Sequence, residues 1–495
     1  MRYRKLAVVL VIVIAFGIIG TLAGPRWTPQ PLDRTIVPQT SDVAIGSDAV
    51  TDPVGTYEID QKTFDVELDG TTIKATLTYP VDAPGERPGV LYMHGAGTGS
   101  NEDFHEEATA LASSGVYVLV PAKRMDTYST SSRNYPAMAE DYLVSWRILR
   151  DWSGVDPTQV GVYGESEGAW IAPIAAVKEP GVAFVILVSA PIVPPRQQVA
   201  FATNSYLHNV GVPQALLRAI PRGLGADVPG GGFEYVDFDP TPWQRQLTQP
   251  VLMIYGTDDE AMPTIQGPLT LMDDMAHAGN EQYTVRYFKG ANHGIRVDGH
   301  LADHLVDVLA RWTQGLPKTA FAQPRIAGDQ PEQTYRAAPV DHPRWFANGD
   351  MLVITLLASL ALVLLGPAVW AVSRLVRRPT RALPPPLARM SAALALSTVA
   401  ILVIFGAYVG YVAELAFNYR TDVLVVNGGW ILLHALGIFS VAIGVRSVAA
   451  LWNAWRTIGR GMLSAGGATI WWASHIGSAA LLLIAAYWGV FPAIW

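Results

Sequence analysis

Residues 160–176 read VGVYGESEGAWIAPIAA. A short apolar β-type run ends at Tyr163, GESEG follows, and helix-forming residues come next, so Ser166 stands in a G-x-S-x-G frame between a strand and a helix. A serine hydroxyl is a poor nucleophile until a sharp turn lifts it clear of the sheet, where a base can reach it. Small residues at Gly164 and Gly168 let the backbone take that turn and let helix and strand approach closely. The N–H of Glu167 would lie at the helix N-terminus, where partial positive charge favours a developing oxyanion. The frame is short enough to arise by accident, so its surroundings decide its meaning.

Upstream, residues 63–68 and 72–78 alternate apolar and polar side chains around Asp69-Gly70, a hairpin signal. Residues 89–93 form an apolar run ending in His94-Gly95-Ala96-Gly97, a loop able to point N–H groups into a site. A helix is expected over 101–114 with Ser100 or Asn101 as N-cap, then a buried strand over 116–120 and a second helix over 136–152. Downstream, residues 183–189, 251–255 and 284–288 are further strand-like runs. Strands alternating with helices, each strand a continuous apolar run, imply an α/β architecture: a mostly parallel sheet covered on both faces, the hairpin adding antiparallel strands at one edge. Residues 191–249 are rich in Pro and Gly, with a helix expected near 214–220, and read as a lid-like insertion.

Two further pieces of chemistry follow. PVLMIYGTDDEAMP places Asp258 and Asp259 in the turn after a strand, and FKGANHGI places His293 in the loop after the last one. A carboxylate that orients an imidazole, and an imidazole that takes a serine proton, complete a triad with Ser166. Their chain order is Ser, Asp, His, which separates this arrangement from two other common serine-hydrolase folds.

At these residues the sequence resembles the α/β-hydrolase superfamily, and within it bacterial serine esterases with dienelactone-hydrolase-like and prolyl-oligopeptidase-like relatives. The resemblance covers about residues 55–315 and rests on YMHGAG at 92–97, GESEGAWIAPIAA at 164–176, YGTDDEAMP at 255–263 and GANHG at 290–294. It implies Ser166 as nucleophile, His293 as base, Asp259 rather than Asp258 as the orienting acid, and the N–H groups of Ala96 and Glu167 as the oxyanion hole. Asp259 is preferred because the family's G-x-x-D with a proline four residues on is matched by Gly256, Asp259 and Pro263. The chain departs from the family at Glu165, where His is commoner, and at Ala169, where a second glycine often stands. The segment D-K-R-G-x-G-x-S survives only as Ala122-Lys123-Arg124-Met125 with Ser129 and Ser132 beyond, and this segment lines one wall of the family's pocket. Pro173 in the elbow helix breaks helix propensity yet matches the family.

Half of the 495 residues are hydrophobic and 16% are charged, low for a wholly soluble chain. The formal net charge of −7 and the lack of a basic stripe with interleaved aromatics argue against nucleic acid. With no cysteine, disulfides, a thiol nucleophile and thiolate metal sites are excluded. No cofactor or metal is called for by the triad.

Residues 1–24 carry Arg2, Arg4 and Lys5 ahead of an apolar run, a signal anchor or signal peptide, the anchor being preferred. Residues 25–54 read as a linker, 55–317 as the hydrolase domain, 318–350 as a second linker ending in Trp345 and Phe346, and 351–495 as a transmembrane domain. Four spans are expected there, at about 351–372, 392–412, 423–445 and 470–490. Arg374, Arg377, Arg378, Arg381 and Arg389 in the first loop, against Arg420 alone in the second and Arg446, Arg456 and Arg460 in the third, put the first and third loops in the cytoplasm. The basic N-terminus agrees, leaving the hydrolase domain and Trp495 outside the cytoplasmic membrane. His434 and His475 fall within spans, with Asn427 and Glu414 flanking the outer end; such polar groups mark either a functional site or bonds between helices. The combined reading is a membrane-anchored serine hydrolase for an acyl ester, small-molecule or lipid. A peptidase or thioesterase on the same fold, or a non-catalytic binding module of a membrane assembly, are the alternatives.

Overall fold

The computed structural model describes residues 2–226, 233–376, 383–418, 420–459 and 462–492. Its contacts divide the chain into two compact units, residues 29–202 with 233–339, and residues 1–28 with 203–232 and 340–495.

Helix α1 (Arg2–Leu22) opens the chain. The α/β unit then runs β1 (Ile59–Leu68), β2 (Thr71–Pro80), β3 (Arg87–Met93), α2 (His105–Ala112), β4 (Tyr117–Pro121), α3 (Tyr135–Arg150), β5 (Val155–Glu165), α4 (Gly168–Lys178) and β6 (Val185–Val188). The insertion follows with α5 (Pro195–Val210), α6 (Ala219–Leu224) and α7 (Thr241–Gln244). The unit closes with β7 (Val251–Gly256), α8 (Gln266–His277), β8 (Tyr283–Phe288), the short pair β9 (Arg296–Val297) and β10 (His300–Leu301), α9 (Leu305–Gln314) and β11 (Ile326–Gly328).

Among the described residues nine strands form one sheet in the order β1-β2-β4-β3-β5-β6-β7-β8-β11. The hairpin pairs Leu68 with Thr71 across Asp69-Gly70, β2 runs antiparallel to β4, and every later pairing is parallel. Alternation along β3 shows why the strands read as unbroken apolar runs: Leu91 and Met93 enter the core that holds Trp146 and Ile171, while Val90 and Tyr92 enter the opposite core with Phe184 and Trp312. Both faces of β3 are buried, so its sequence lacks the apolar–polar alternation of a half-exposed strand.

The expected helix over 101–114 begins only at His105. Ser100 N–H bonds the Asp103 carboxylate, and Phe104 sits in the left-handed region at φ 58°, so the proposed cap residues close a turn instead of starting a helix. Nor is the stretch 29–54 a free spacer. Ile36 and Ile45 are buried, and the Arg286 guanidinium donates to the carbonyls of Val43 and Ala44, tying that stretch to β8. The second assigned spacer likewise contributes β11, whose three residues carry too little periodicity to read as a strand. The helix of the insertion's first part, α5, was not expected from its sequence.

In the other unit, α10 (Gly349–Leu375), α11 (Pro385–Phe417) and α12 (Val423–Ile458) contain the first three expected spans and extend beyond them, while α13 (Ala465–Tyr487) starts five residues before the fourth and ends three residues short of it. With α1 they make, among the described residues, five helices long and apolar enough to cross a membrane. Residues 203–232 of the insertion group with these helices: Val210 and Leu216 join the apolar cluster formed by Val13, Tyr408, Trp430 and Leu482. Helix α1 packs on α12 and α13, with Phe16 stacked on Phe491 at 4.9 Å. A side chain at Gly17 or Gly20 would collide with the carbonyl oxygens of Pro492 or Ala486, the close approach through which apolar helices associate where lipid supplies no hydrophobic drive.

His475 stacks on Trp471 and reaches Ser447 of α12 at 2.9 Å, a bond between helices, whereas His434 bonds the Trp430 carbonyl within its own helix. No cluster of metal-ligating side chains occurs among the described residues. Arg377, Arg378, Arg381, Arg460 and Trp495, which enter the orientation argument, lie outside the described residues.

Because α1 seats Gly20 against α13, Gly20→Val should lower stability by about 1–3 kcal/mol, read as a fall in the thermal unfolding midpoint of the full chain in detergent. Leu10→Val, at an exposed position of the same helix, should leave the midpoint unchanged.

Candidate active site

Strand β5 ends at Glu165 and α4 begins at Gly168, so only two residues make the turn between them. Ser166 carries a positive φ of 54°, a conformation L-residues other than Asn and Asp seldom adopt. Its N–H is fixed to the Val188 carbonyl at 2.9 Å, and its Cβ lies 3.2 Å from where a side chain on Gly95 would begin. A Cβ on Gly168 would strike the Met93 carbonyl, so the glycine is needed where α4 crosses the end of β3.

Asp259 and His293 come from the loops after β7 and β8, at the same carboxyl edge of the sheet. The Asp259 carboxylate is fully buried, accepts the Ala261 N–H at 3.0 Å, and lies 2.9 Å from His293 Nδ1. Its neighbour Asp258 is exposed and takes a bond from Thr257. A carboxylate at Nδ1 requires the proton there, leaving Nε2 as the basic nitrogen. The His293 carbonyl accepts the Ser189 hydroxyl at 2.6 Å, and Ser189 directly follows the residue that holds Ser166. The end of β6 therefore anchors both the serine and the histidine loop. Among the described residues no hydrogen bond joins Ser166 Oγ to His293.

Glu165 stands on the other side of the serine. Burial pushes its carboxyl up to about 7, against the pull of His293. Its surroundings are the Tyr163 hydroxyl at 3.4 Å, Glu107 from α2 and Arg296 from β9, the last also paired with Glu106 and Glu107. Burial disfavours the imidazolium of His293, but the carboxylates of Asp259 and then Glu165 outweigh it and hold the ring above its ordinary value.

Behind the serine lies a set of charges that motif reading did not reveal. The Glu167 side chain, fully buried, accepts from Lys123 at 3.0 Å, Arg133 at 2.6 Å and Tyr128 at 3.0 Å, with the Tyr135 hydroxyl at 3.4 Å. The Lys123 ammonium also bonds the Gly95 carbonyl, and Tyr128 accepts the Gly97 N–H at 2.9 Å. Arg133 is stacked between the rings of Tyr128 and Tyr235, 4.9 and 4.2 Å from their centres. Removing one member of such a buried pair costs about 3–5 kcal/mol, because the other charge is left unpaired. Of the departures noted above, Lys123 thus lies inside this cluster, while Arg124 pairs with Asp126 and Asp141, and Ser129 and Ser132 close a local turn. A charged pair separated by 44 residues has no sequence signal; only Lys123 within the family-like segment hinted at it.

The loop after β3 is held at its other end by His94. Its Nε2 faces the Ser100 carbonyl at 2.9 Å and its Nδ1 the Tyr142 hydroxyl at 3.2 Å, while burial lowers its pKa to about 4, so the ring is a neutral post. Neither the Ala96 N–H nor the Glu167 N–H donates to another described residue.

The sheet order, with one antiparallel strand beside a parallel series and a serine on the turn after β5, is the α/β-hydrolase fold. Residues 144–298 match the family model described as BAAT / Acyl-CoA thioester hydrolase C terminal. No curated protein matches the chain. Among solved structures it is similar to an esterase from Pyrobaculum calidifontis, at 20% identity over 54% of this chain and 88% of that one with a TM-score of 0.38. It is also similar to the acylaminoacyl peptidase of Pyrococcus horikoshii, at 17% identity over 49% of this chain and TM-score 0.37, spanning only 39% of the peptidase.

If His293 must be neutral to take a proton, turnover should fall as pH drops through an apparent pKa above 6.5, because the folded-state value is raised. Glu165→Gln removes one of the carboxylates favouring the imidazolium, so the acid limb of the kcat/KM profile should move to lower pH; a limb that stays in place or moves upward refutes the coupling.

Proposed function

We propose that this chain is a membrane-anchored serine hydrolase that cleaves an acyl ester outside the cytoplasmic membrane through Ser166, His293 and Asp259. The observation that carries the reading is the buried Asp259 carboxylate at His293 Nδ1, on the same sheet edge as a serine held at positive φ. Ser166 Oγ attacks the acyl carbon, its proton passes to His293 Nε2, and the carbonyl electron pair moves to oxygen, facing the N–H groups of Ala96 and Glu167. Collapse of the tetrahedral adduct expels the alcohol, which takes the proton back from His293. Water then attacks the acyl-enzyme by the same route and restores Ser166.

The five apolar helices support membrane attachment, and the arginine-rich first loop with the basic N-terminus supports an external hydrolase unit. One observation favours a second reading, a thioester in place of the ester: the matched family model is described as an acyl-CoA thioester hydrolase. The same acyl-enzyme chemistry serves both.

A fluorophosphonate probe should label the full-length protein and not Ser166→Ala; equal labelling of both removes Ser166 from the nucleophile's role. Asp259→Asn should lower kcat for p-nitrophenyl butyrate by roughly 10³- to 10⁴-fold, while Asp258→Asn should stay near wild type. Comparing kcat/KM for p-nitrophenyl butyrate and butyrylthiocholine decides between ester and thioester.

A further inference from the structure

The residue after the nucleophile is committed twice. Its N–H, which donates to no other described residue, is the one assigned to the oxyanion, and its carboxylate holds the Lys123 ammonium at 3.0 Å with both partners buried. Lys123 in turn donates to the carbonyl of Gly95. That carbonyl belongs to the same peptide unit as the Ala96 N–H, and in a trans peptide the C=O and N–H point in opposite directions. A cation gripping the oxygen from behind therefore aims the N–H away from itself. It also draws electron density toward the oxygen, leaving the amide hydrogen more positive and a stronger donor. The next N–H, that of Gly97, is pinned to Tyr128, which shares the Glu167 carboxylate. Without these anchors the Gly95–Gly97 stretch, with two glycines in three residues and Gly97 at φ 98°, would be free to rotate its peptides.

We propose that Lys123, clamped by Glu167, is a positioning residue that aims and polarises the Ala96 N–H, making the oxyanion hole an ion-pair-supported device tied to the residue beside the nucleophile. The proposal rests on the hydrolase reading above. Lys123 touches no reacting atom. Its contribution appears only once negative charge develops on the substrate oxygen, so it affects the transition state and leaves ground-state binding alone.

The test uses the full-length chain in detergent, with p-nitrophenyl butyrate as substrate and an alkyl trifluoromethyl ketone as probe. The ketone accepts Ser166 Oγ at its carbonyl carbon and places a stable oxyanion where the ester's transient one would form. Lys123→Met should lower kcat by about 10- to 100-fold with KM within about twofold, and weaken ketone inhibition by the same factor. Lys123→Arg, which keeps a buried cation beside Gly95, should recover most of both. Should the Met variant fail to fold by circular dichroism, Lys123→Gln, with a neutral donor, carries the same comparison and should show the same parallel loss at smaller amplitude. An unchanged kcat in a folded variant, or a fall in kcat with ketone affinity retained, overturns the proposal. Those outcomes, with Ser166→Ala still inert, leave the hydrolase reading standing; Ser166→Ala turning over as fast as wild type removes that reading itself.

Discussion

The turn between β5 and α4 has two residues in which to reverse from strand to helix, and the whole carboxyl edge of the sheet is arranged around that constraint. Ser166 pays for its exposure with a left-handed backbone, of order 1–3 kcal/mol. It stays there because its N–H is bonded to β6, and because the missing side chain at Gly168 lets α4 lie against the end of β3. Packing on both faces of the sheet holds these elements with little freedom to relax.

From that turn the electrostatics divide by side. On one side, Glu165 shares a buried acidic pocket with Glu107, and the two are balanced by Arg296 and by the histidine ring. On the other, Glu167 gathers Lys123 and Arg133 and two tyrosine hydroxyls. Three consecutive residues thus have three surroundings: Glu165 faces the His293 ring, Ser166 stands on the turn, and Glu167 gathers the charges beneath the Gly95–Gly97 loop. Residues two apart on a regular strand share a face, so it is the turn at Ser166, with its positive φ, that sends the two carboxylates to different sides.

The apolar unit obeys a different rule. Lipid offers no hydrophobic drive between helices, so association depends on close backbone approach and on hydrogen bonds between buried polar groups. The glycine contacts of α1, the Ser397–Ser440 bond at 2.8 Å and the Ser447–His475 bond at 2.9 Å are instances of both. Helix α1 is accordingly packed as a member of the group and not simply threaded past it.

Period and punctuation in the sequence determined the α/β alternation, the hairpin at Asp69-Gly70, the serine's turn and the apolar spans, because each is a local property that spacing and composition carry directly. Boundaries failed where a side chain found a local partner, as when Asp103 and Phe104 delayed α2. What lay beyond the sequence was everything made by residues far apart in the chain. The strand β11 recruited from an apparent spacer, the insertion's middle part grouped with the apolar helices, and Lys123 under the Gly95 carbonyl are all decided by tertiary packing. A buried charge reveals its purpose only when its partner is in place, and that partner is chosen by the fold.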